Sequence, residues 1–332
     1  MVKRGKRPCP KVTIIGNTSW GNTLAALLSS RGASVRLWTR SEAEAQGLNQ
    51  GRRSYLSTSQ IGEALNGADL AIWVVPSQKL RENVSQARDY LSNSMLLMSA
   101  AKGLEVDTGK RMSQILAEEI TPSSRGQICV LSGPNLAGEI ARGLPAGSVI
   151  AAQDMALAER ARELMESPRF VVSTSDDVVG VELGGALKNV IALGAGMMDG
   201  LGLGDNAKGA YIAWGWSEVV SLGVTLGARA ATFYGLAGLG DLITTCASTL
   251  SRNHYVGYEL AKGRSLSDIS ASMKYVAEGV ATTAAAHRLA NDHALRLPII
   301  SLIHGVLFEG LPPSRALRGF RELAASHYCS VD

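Results

Sequence analysis

The feature that most constrains the fold is an alternation between short apolar segments and amphipathic segments in the first half of the chain. The apolar segments have the length and aliphatic composition of buried strands, and they cover residues 12–16, 34–38, 69–75, 95–100, 128–131, 148–152 and 170–173. The segments between them repeat apolar residues at helical spacing over residues 19–30, 78–91, 109–119, 136–142 and 155–166. Strands that alternate with helices form parallel sheets covered on both faces, so the pattern predicts a doubly wound, mainly parallel α/β sheet.

The alternation ends near Asp176 and Asp177, and helical periodicity continues from there. A stripe of apolar and small residues marks a long helix that begins next to Asp177: Val181, Gly184, Leu187, Ile191 and Gly194. Further helices are predicted over residues 210–226, 254–262, 281–292 and 299–309. The sequence therefore predicts a basic segment at residues 1–10, a sheet domain at residues 11–177 and an all-helical C-terminal domain at residues 178–332.

Composition and charge exclude several classes of protein. With 46% hydrophobic and 19% charged residues, the chain has the composition of a folded globular protein rather than a disordered one. Basic residues cluster near the N-terminus, but no aromatic residue interleaves with them, so nucleic-acid binding is not supported and a solvated tail is expected. No uncharged apolar run approaches the roughly 20 residues of a membrane-spanning helix, so no membrane insertion is expected.

The cysteines and histidines indicate a reducing environment and a site without metal. The four cysteines are far apart and form no C-x-x-C pair, which argues against a disulfide framework and against a zinc site. The five histidines do not form a metal-ligand motif. We therefore expect a cytoplasmic protein.

The turn between the first predicted strand and the first predicted helix has the features of a dinucleotide-binding loop. Residues 16–21 read Gly-Asn-Thr-Ser-Trp-Gly, and such a loop needs glycine for the tight turn and for close approach of the backbone to a pyrophosphate. The N-terminus of the following helix attracts the negative charge. This predicts a Rossmann-type domain with Gly16 and Gly21 at the cofactor. Thr18 replaces the middle glycine of the motif, and its β-branched side chain should crowd the pyrophosphate. A tight strand–helix turn without a ligand is the alternative.

The end of the second predicted strand bears on the choice of cofactor. Domains specific for NAD usually carry an acidic residue here for the ribose hydroxyls, whereas this chain has Thr39, Arg40 and Ser41. An arginine flanked by hydroxyls suits a 2′-phosphate, so the sequence favours NADP and does not exclude NAD. A solvated loop arginine is the simpler alternative for Arg40.

Five motifs follow one another in the rest of the chain. They are Ser132-Gly133-Pro134, the segment 180–190 around Lys188, the glycine-rich segment 199–208, the segment 235–242 that contains Asp241, and Ser251-Arg252-Asn253. In this order they resemble the NAD(P)-dependent glycerol-3-phosphate dehydrogenase family, and the resemblance extends over nearly the whole chain. It implies reversible hydride transfer between NAD(P)H and dihydroxyacetone phosphate, giving sn-glycerol 3-phosphate for glycerophospholipid synthesis, and it implies a homodimer.

The resemblance also implies roles for particular residues. Lys188 is the expected general acid and base, with Asp241 as its partner, and burial among small residues should lower the pKa of Lys188. Arg252 is expected to bind phosphate and Ser251 to cap a helix; a simple cap with a solvated arginine is the alternative. Residues expected at the substrate are Lys102, Gly133, Asn135, Lys188, Asp241, Ser251, Arg252 and Asn253. Residues expected at the cofactor are Gly16, Ser19, Trp20, Gly21, Arg40, Lys102, Ala137, Arg252, Val276 and Glu278.

Three departures from the family pattern matter. Thr18 stands where the family has a glycine, and Asn135 stands where Ser or Thr is expected. The chain also lacks most of the family's Asn-Pro-x-Tyr-Leu-Pro loop and keeps only residues 51–56 of it, which makes Arg53 a further candidate at the cofactor.

Two other hypotheses stay open at this point. A β-hydroxyacid dehydrogenase or a ketopantoate reductase combines a similar sheet with a helical domain and a lysine, but it would take a carboxylate and would not explain the combined motifs. A non-catalytic binding protein or sensor with this fold is supported by Thr18. It is opposed by the presence of Lys188, Asp241 and Arg252 in one chain.

Overall fold

The computed structural model describes residues 9–51, 53–273 and 277–316. Eight strands form one sheet: β1 (Lys11–Ile15), β2 (Ser34–Trp38), β3 (Leu56–Thr58), β4 (Leu70–Trp73), β5 (Leu96–Ser99), β6 (Ile128–Ser132), β7 (Ala146–Ala151) and β8 (Phe170–Ser175). Their order in the sheet is β3-β2-β1-β4-β5-β6-β7-β8. Neighbouring strands are parallel except for β6 and β7, which pair antiparallel. The predicted doubly wound, mainly parallel sheet is therefore confirmed.

All seven predicted strands are present, and their ends lie within two residues of the predicted ones. Strand β3 has no counterpart in the sequence prediction. Its three residues are too few to show an alternation, and Leu56 is 68% exposed at the edge of the sheet.

In the described part of the chain, seven α-helices accompany the sheet: α1 (Ser19–Ser30), α2 (Glu42–Gln50), α3 (Ile61–Leu65), α4 (Leu80–Ala87), α5 (Met112–Glu119), α6 (Ala137–Ala141) and α7 (Met155–Met165). Helices α2 and α3 have no counterpart in the prediction. The helix predicted at 78–91 is shorter, because α4 is flanked by a 3₁₀ turn at each end. The helix predicted at 109–119 begins at Met112 instead, because Gly109 has a φ of +70°, which lies outside the helical region.

The C-terminal half is helical, as predicted. Its helices are α8 (Val178–Gly200), α9 (Gly204–Thr225), α10 (Asp241–Ala247), α11 (Arg252–Ala261), α12 (Leu266–Ser272), α13 (Glu278–Asp292), α14 (Pro298–Phe308) and α15 (Pro313–Ala316). Helices α9 and α13 begin earlier than predicted, and α10 and α12 have no counterpart in the prediction.

Helix α8 is the central helix of this half and carries Lys188. Its first turn is capped by Asp177, whose Oδ1 accepts a hydrogen bond from Gly180 N at 2.9 Å. A Cβ on Gly257 of α11 would lie 1.8 Å from the carbonyl oxygen of Leu193, so glycine allows α11 to pack closely on α8. Among the described residues, α8 is the one helix long and apolar enough to cross a membrane, and 83% of its most apolar window is buried in the fold, as in a core helix.

Candidate active site

A cleft of about 410 Å³ opens at the C-terminal edge of the parallel strands, between that edge and helices α8 and α11. The predicted cofactor residues that line it are Ser19, Trp20, Lys102, Ala137, Arg252 and Glu278. Of these, Lys102 and Arg252 are predicted at the substrate as well. The other predicted substrate residues that line the cleft are Asn135, Lys188, Ser251 and Asn253. Ligands of open α/β sheets bind at this edge, so the cleft is the candidate active site.

Three of the described residues predicted at the cofactor do not line this cleft: Gly16 and Gly21, which shape the adjoining turn, and Arg40. Arg40 follows β2, is exposed, and forms no ion pair with any residue that the structure describes. Val276 lies outside the described residues, so its place at the cofactor stays a prediction.

The β1–α1 turn can take its tight form only because of its glycines. A Cβ on Gly16, which has a φ of +123°, would lie 2.7 Å from the carbonyl oxygen of Val74. A Cβ on Gly21 would lie 2.3 Å from the carbonyl oxygen of Gly16. Ser19 and Trp20 begin α1 at the cleft, where the unpaired N–H groups of a first helical turn favour an anion such as a pyrophosphate.

Thr18 fits into this turn. Its hydroxyl donates a hydrogen bond to the carbonyl oxygen of Val74 at 3.0 Å and accepts one from Gly21 N at 2.9 Å, which caps α1. The side chain still lines the cleft, but its hydroxyl is engaged within the protein. The turn thus keeps its form with a threonine in place of the middle glycine, while crowding of a pyrophosphate by Thr18 stays a prediction.

Lys188 and Asp241 form the buried centre of the site. Lys188 Nζ lies 2.7 Å from Asp241 Oδ1 and donates a hydrogen bond to the hydroxyl of Thr245. Lys102 Nζ lies 2.7 Å from Asp241 Oδ2 and 2.6 Å from the carbonyl oxygen of Gly133. One carboxylate, only 1% exposed, therefore holds two ammonium groups at the edge of the cleft.

The pKa of Lys188 is lowered to about 8. Loss of hydration on burial is the largest cause, and the positive charge of Lys102 acts in the same direction. The carboxylate of Asp241 opposes both by favouring the ammonium form. The lowered pKa expected from the sequence is confirmed, and Lys188 can give up and take up a proton near neutral pH.

Glycines bring Asp241 against α8. Asp241 is the first residue of α10 and directly follows a π-helical turn at Leu236–Gly240. A Cβ on Gly184 of α8 would lie 2.9 Å from the carbonyl oxygen of Ala237 in that turn. The close packing of the turn on α8 places the carboxylate within reach of Lys188.

The start of α11 forms a polar end of the cleft. Ser251 Oγ accepts a hydrogen bond from His254 N at 3.2 Å, so the predicted cap is confirmed. Arg252 is the first helical residue, and its exposed side chain lines the cleft. A guanidinium at a helix N-terminus favours an anion, because the charge and the helix dipole act together.

Asn253 connects three helices. Its Nδ2 donates to Asn189 Oδ1 at 2.8 Å, and its Oδ1 accepts from Gly279 N at 2.9 Å. These bonds join α11 to α8 and to the first turn of α13, while contact of Asn253 with a substrate stays a prediction.

Glu278 connects α13 to the loop after β4. Its Oε1 accepts from Ser77 N at 3.1 Å, and its other oxygen accepts from the Ser77 hydroxyl. Burial raises the pKa of Glu278, while the Ser77 hydrogen bonds and the charge of Arg252 oppose that rise. These hydrogen bonds join the C-terminal half to the sheet domain beside the cleft.

Thr245 and Asn189 also line the cleft and were missing from the sequence prediction. Thr245 lies one helical turn after Asp241, so its i, i+4 spacing would reveal it once α10 is known. Asn189 directly follows Lys188, and its side chain accepts the hydrogen bond from Asn253.

A larger cleft of about 630 Å³ lies at the opposite edge of the sheet. Charged side chains that line it form ion pairs within the protein: Arg229 pairs with Asp176, and Arg111 pairs with Glu182 of α8. Asp177 there caps α8. Lys188, whose pKa is lowered, and the glycine turn both lie at the smaller cleft of about 410 Å³, so we place the reaction there.

Comparison with known proteins agrees with this geometry. Residues 11–158 match the N-terminus of NAD-dependent glycerol-3-phosphate dehydrogenase, and residues 177–318 match its C-terminus. A protein from Dehalococcoides mccartyi named glycerol-3-phosphate dehydrogenase (NAD(P)+) is 50% identical over 330 residues, covering 96% of this chain and 92% of that protein. A crystal structure of glycerol-3-phosphate dehydrogenase from Coxiella burnetii has a TM-score of 0.88 at 30% identity, covering 95% of this chain and 99% of that one.

A ketopantoate reductase from Ralstonia eutropha is a more distant neighbour. Its TM-score is 0.59 at 15% identity, over 92% of this chain and 99% of that one, which shows a shared fold alone. This distant likeness does not favour a ketopantoate reductase over the family whose N- and C-terminal parts match the chain. Since both halves match one family and a relative matches at 50% identity, the chain belongs to the NAD-dependent glycerol-3-phosphate dehydrogenase family.

Proposed function

We propose that the chain catalyses reversible hydride transfer between NAD(P)H and dihydroxyacetone phosphate, which gives sn-glycerol 3-phosphate. The main support is the buried Lys188–Asp241 pair, which lies between a glycine turn suited to a dinucleotide and a helix N-terminus suited to a phosphate. Reduction of a ketone needs a hydride at the carbon and a proton at the oxygen, and this arrangement can serve both needs.

The β1–α1 turn fits the cofactor. Gly16 and Gly21 allow the tight turn, because a side chain at either position would collide with the backbone of the protein, and Ser19 and Trp20 begin a helix there. When bound, the nicotinamide supplies the hydride. Arg40 supports a preference for NADP, with NAD as the alternative cofactor.

Lys188 is the proposed acid and base. Its Nζ donates a proton to the carbonyl oxygen as the hydride reaches the carbon, and the neutral amine takes the proton back in the reverse direction. Asp241 fixes the ammonium group in place. Lys102 adds a second positive charge, which stabilises the alkoxide as it develops.

The phosphate of the substrate is proposed to bind at the start of α11. The Arg252 guanidinium can donate paired hydrogen bonds to phosphate oxygens, and the helix dipole favours the same charge. Gly133 and Asn135 are proposed to line the substrate on the sheet side, where Asn135 Nδ2 is held by Ser148 Oγ at 2.7 Å.

The finer parts of the proposal concern the cell and the assembly. We propose that the chain works in the cytoplasm in the direction of reduction, supplying glycerol 3-phosphate for glycerophospholipid synthesis. We also propose a homodimer and a division into a dinucleotide-binding domain at residues 11–177 and a helical substrate domain at residues 178–332. Light scattering on the purified chain tests the dimer: one chain has a mass of 34.9 kDa, and a particle of that mass would contradict it.

Loss of NADPH absorbance on addition of dihydroxyacetone phosphate tests the function, with NADH run in parallel. We expect rapid oxidation of NADPH by the purified chain and slower turnover of Lys188→Ala by about 10²–10⁴-fold, as for loss of a general acid. Arg88→Ala, an exposed change on the far side of the sheet domain, is the control and should match the unchanged chain. Near-normal turnover by Lys188→Ala would remove that role, and a folded chain that oxidises neither cofactor would reject the function.

A further inference from the structure

The segment between α2 and β3, where the chain departs from its family, carries an arginine that lies beside the cofactor turn. The backbone N–H of Arg53 donates to the carbonyl oxygen of Gly51 at 2.7 Å, which folds the segment back. Arg53 Nη1 donates to the hydroxyl of Tyr55 and, at 3.0 Å, to Asn22 Oδ1. The guanidinium carbon lies 5.6 Å from the centre of the Tyr55 ring, so two neighbours fix the direction of this side chain.

Hydrogen bonds continue from these neighbours into the turn itself. Tyr55 is buried, and its hydroxyl donates to Asn22 Oδ1 at 2.7 Å. Asn22 Nδ2 donates to Asn17 Oδ1 and to the carbonyl oxygen of Thr18, both at 2.8 Å. Asn17 and Thr18 belong to the β1–α1 turn, so Tyr55 and Asn22 hold Arg53 against the turn.

The held guanidinium keeps most of its hydrogen-bonding capacity. The N–H groups on Nε and Nη2 of Arg53 donate to no residue that the structure describes, and the exposed side chain has no carboxylate partner among those residues. A positive charge near the start of α1 adds to the positive end of the helix dipole. Both features favour a ligand with negative charge at this place.

Arg40 follows the strand whose end contacts the same turn. Gly16 N donates to the carbonyl oxygen of Trp38 at 3.2 Å, so the turn lies against the end of β2, two residues before Arg40. Arg40 is exposed and likewise has no carboxylate partner within the described part of the chain. Arg53 beside the turn and Arg40 after β2 thus both lack a counter-ion among the described residues. The adenosine ribose of a dinucleotide binds at the end of β2, which lies next to the turn.

We propose that Arg53 is a second arginine of the 2′-phosphate site and sets, with Arg40, the preference for NADP over NAD. Tyr55 and Asn22 are positioning residues, since they act through Arg53. The inference rests on the proposed function for the cofactor and goes beyond it by naming the group that selects between cofactors. A phosphate dianion can accept paired hydrogen bonds from two planar guanidinium groups, which a ribose hydroxyl cannot match.

Calorimetric titration with 2′,5′-ADP and with 5′-AMP tests the inference without any turnover, because the two probes differ only in the 2′-phosphate. Arg53→Ala should weaken binding of 2′,5′-ADP by about tenfold or more, as expected for a lost charge-assisted pair, and binding of 5′-AMP by less than about twofold. The double variant Arg53→Ala/Arg40→Ala should lose more than either single variant. Arg88→Ala, which removes the same charge far from the turn, should change neither affinity.

Tyr55→Phe separates positioning from charge, because it keeps both arginines and removes the hydroxyl that holds Arg53. It should weaken 2′,5′-ADP binding by less than Arg53→Ala does and leave 5′-AMP binding unchanged. Equal loss of both probes in Arg53→Ala, or no loss of either, would overturn the inference. So would an unchanged chain that does not prefer 2′,5′-ADP, even if it reduces dihydroxyacetone phosphate with NADH. A chain that prefers 2′,5′-ADP but turns over no substrate would reject only the proposed function.

Discussion

At the scale of single residues, the chemistry depends on one carboxylate shared by two lysines. Asp241 favours the ammonium form of Lys188, whereas burial and the charge of Lys102 favour the amine. The balance leaves the pKa of Lys188 at about 8, so the form that donates a proton in reduction declines as the pH rises past that value. The reverse direction needs the amine and has the opposite pH dependence.

Replacing the shared carboxylate should move this pH dependence. In Asp241→Asn the charge that raises the pKa of Lys188 is gone, so that pKa falls below about 8 and kcat for reduction declines from a lower pH. The measurement is kcat for reduction from neutral to alkaline pH, compared with Glu82→Gln, an exposed carboxylate on α4. If the decline of kcat at alkaline pH stays in place or moves to higher pH in Asp241→Asn, Asp241 does not set the pKa of Lys188.

At the scale of elements, helix capping and close helix packing place the reacting groups. Thr18 caps α1 and ties the cofactor turn to the end of β4 through Val74. Gly257 lets α11 approach α8, which sets the distance between Arg252 and Lys188 at the two sides of the cleft. Both devices depend on the size or the hydroxyl of one side chain, so each can be tested with a matched pair of variants.

Gly257→Ala should lower the free energy of unfolding by about 2 kcal/mol or more. The added methyl group would lie 1.8 Å from the carbonyl oxygen of Leu193, so the helices must separate to admit it. Gly209→Ala on α9 is the matched control, because an added Cβ there meets nothing within 4 Å and alanine is the better helix former by up to about 1 kcal/mol. Urea unfolding measures both variants, and similar values for the two would contradict the close-packing argument.

Thr18→Val should lower the free energy of unfolding by about 1 kcal/mol, the usual loss for a removed helix cap, and weaken NADPH binding. Valine keeps the shape of threonine but can neither accept from Gly21 N nor donate to the carbonyl oxygen of Val74. Thr18→Ser keeps the hydroxyl and should retain most of both properties. If urea unfolding and NADPH titration give the same values for the two variants, the hydroxyl does not hold the turn.

At the scale of the whole molecule, the site lies where the two halves meet, and this limits what the sequence alone can predict. The central strands follow from their apolar runs, because they are buried along most of their length. Helix α1 follows from its apolar periodicity, because one of its faces is buried. Short elements such as β3 and α10 carry no such signal. Lys188, Asp241 and Arg252 were placed by resemblance to a family, whereas the Lys188–Thr245 contact joins residues 57 positions apart and no local pattern encodes it.

A partly buried ion pair also joins the halves, at the larger cleft and not at the candidate active site. Arg111, just before α5, pairs with Glu182 of α8, and their side chains are only 17% and 7% exposed. Glu182 also accepts from Ser113 N at 2.7 Å and from Ser113 Oγ at 2.6 Å. Since α8 carries Lys188, this contact helps to fix the helix of the reacting lysine on the sheet domain.

Replacing both partners of this pair should destabilise the chain by less than the sum of the two single replacements. Glu182→Gln leaves a partly buried guanidinium without its carboxylate, and we expect a loss of about 2 kcal/mol in the free energy of unfolding. Arg111→Met leaves the carboxylate with only its two hydrogen bonds from Ser113, so the double variant should lose less than the sum of the two single losses. Glu82→Gln breaks an exposed pair with Lys79, 51% exposed on each side, and should change stability by less than about 1 kcal/mol. Urea unfolding of all four variants decides the matter, because strictly additive losses would mean that Arg111 and Glu182 stabilise the junction independently of each other.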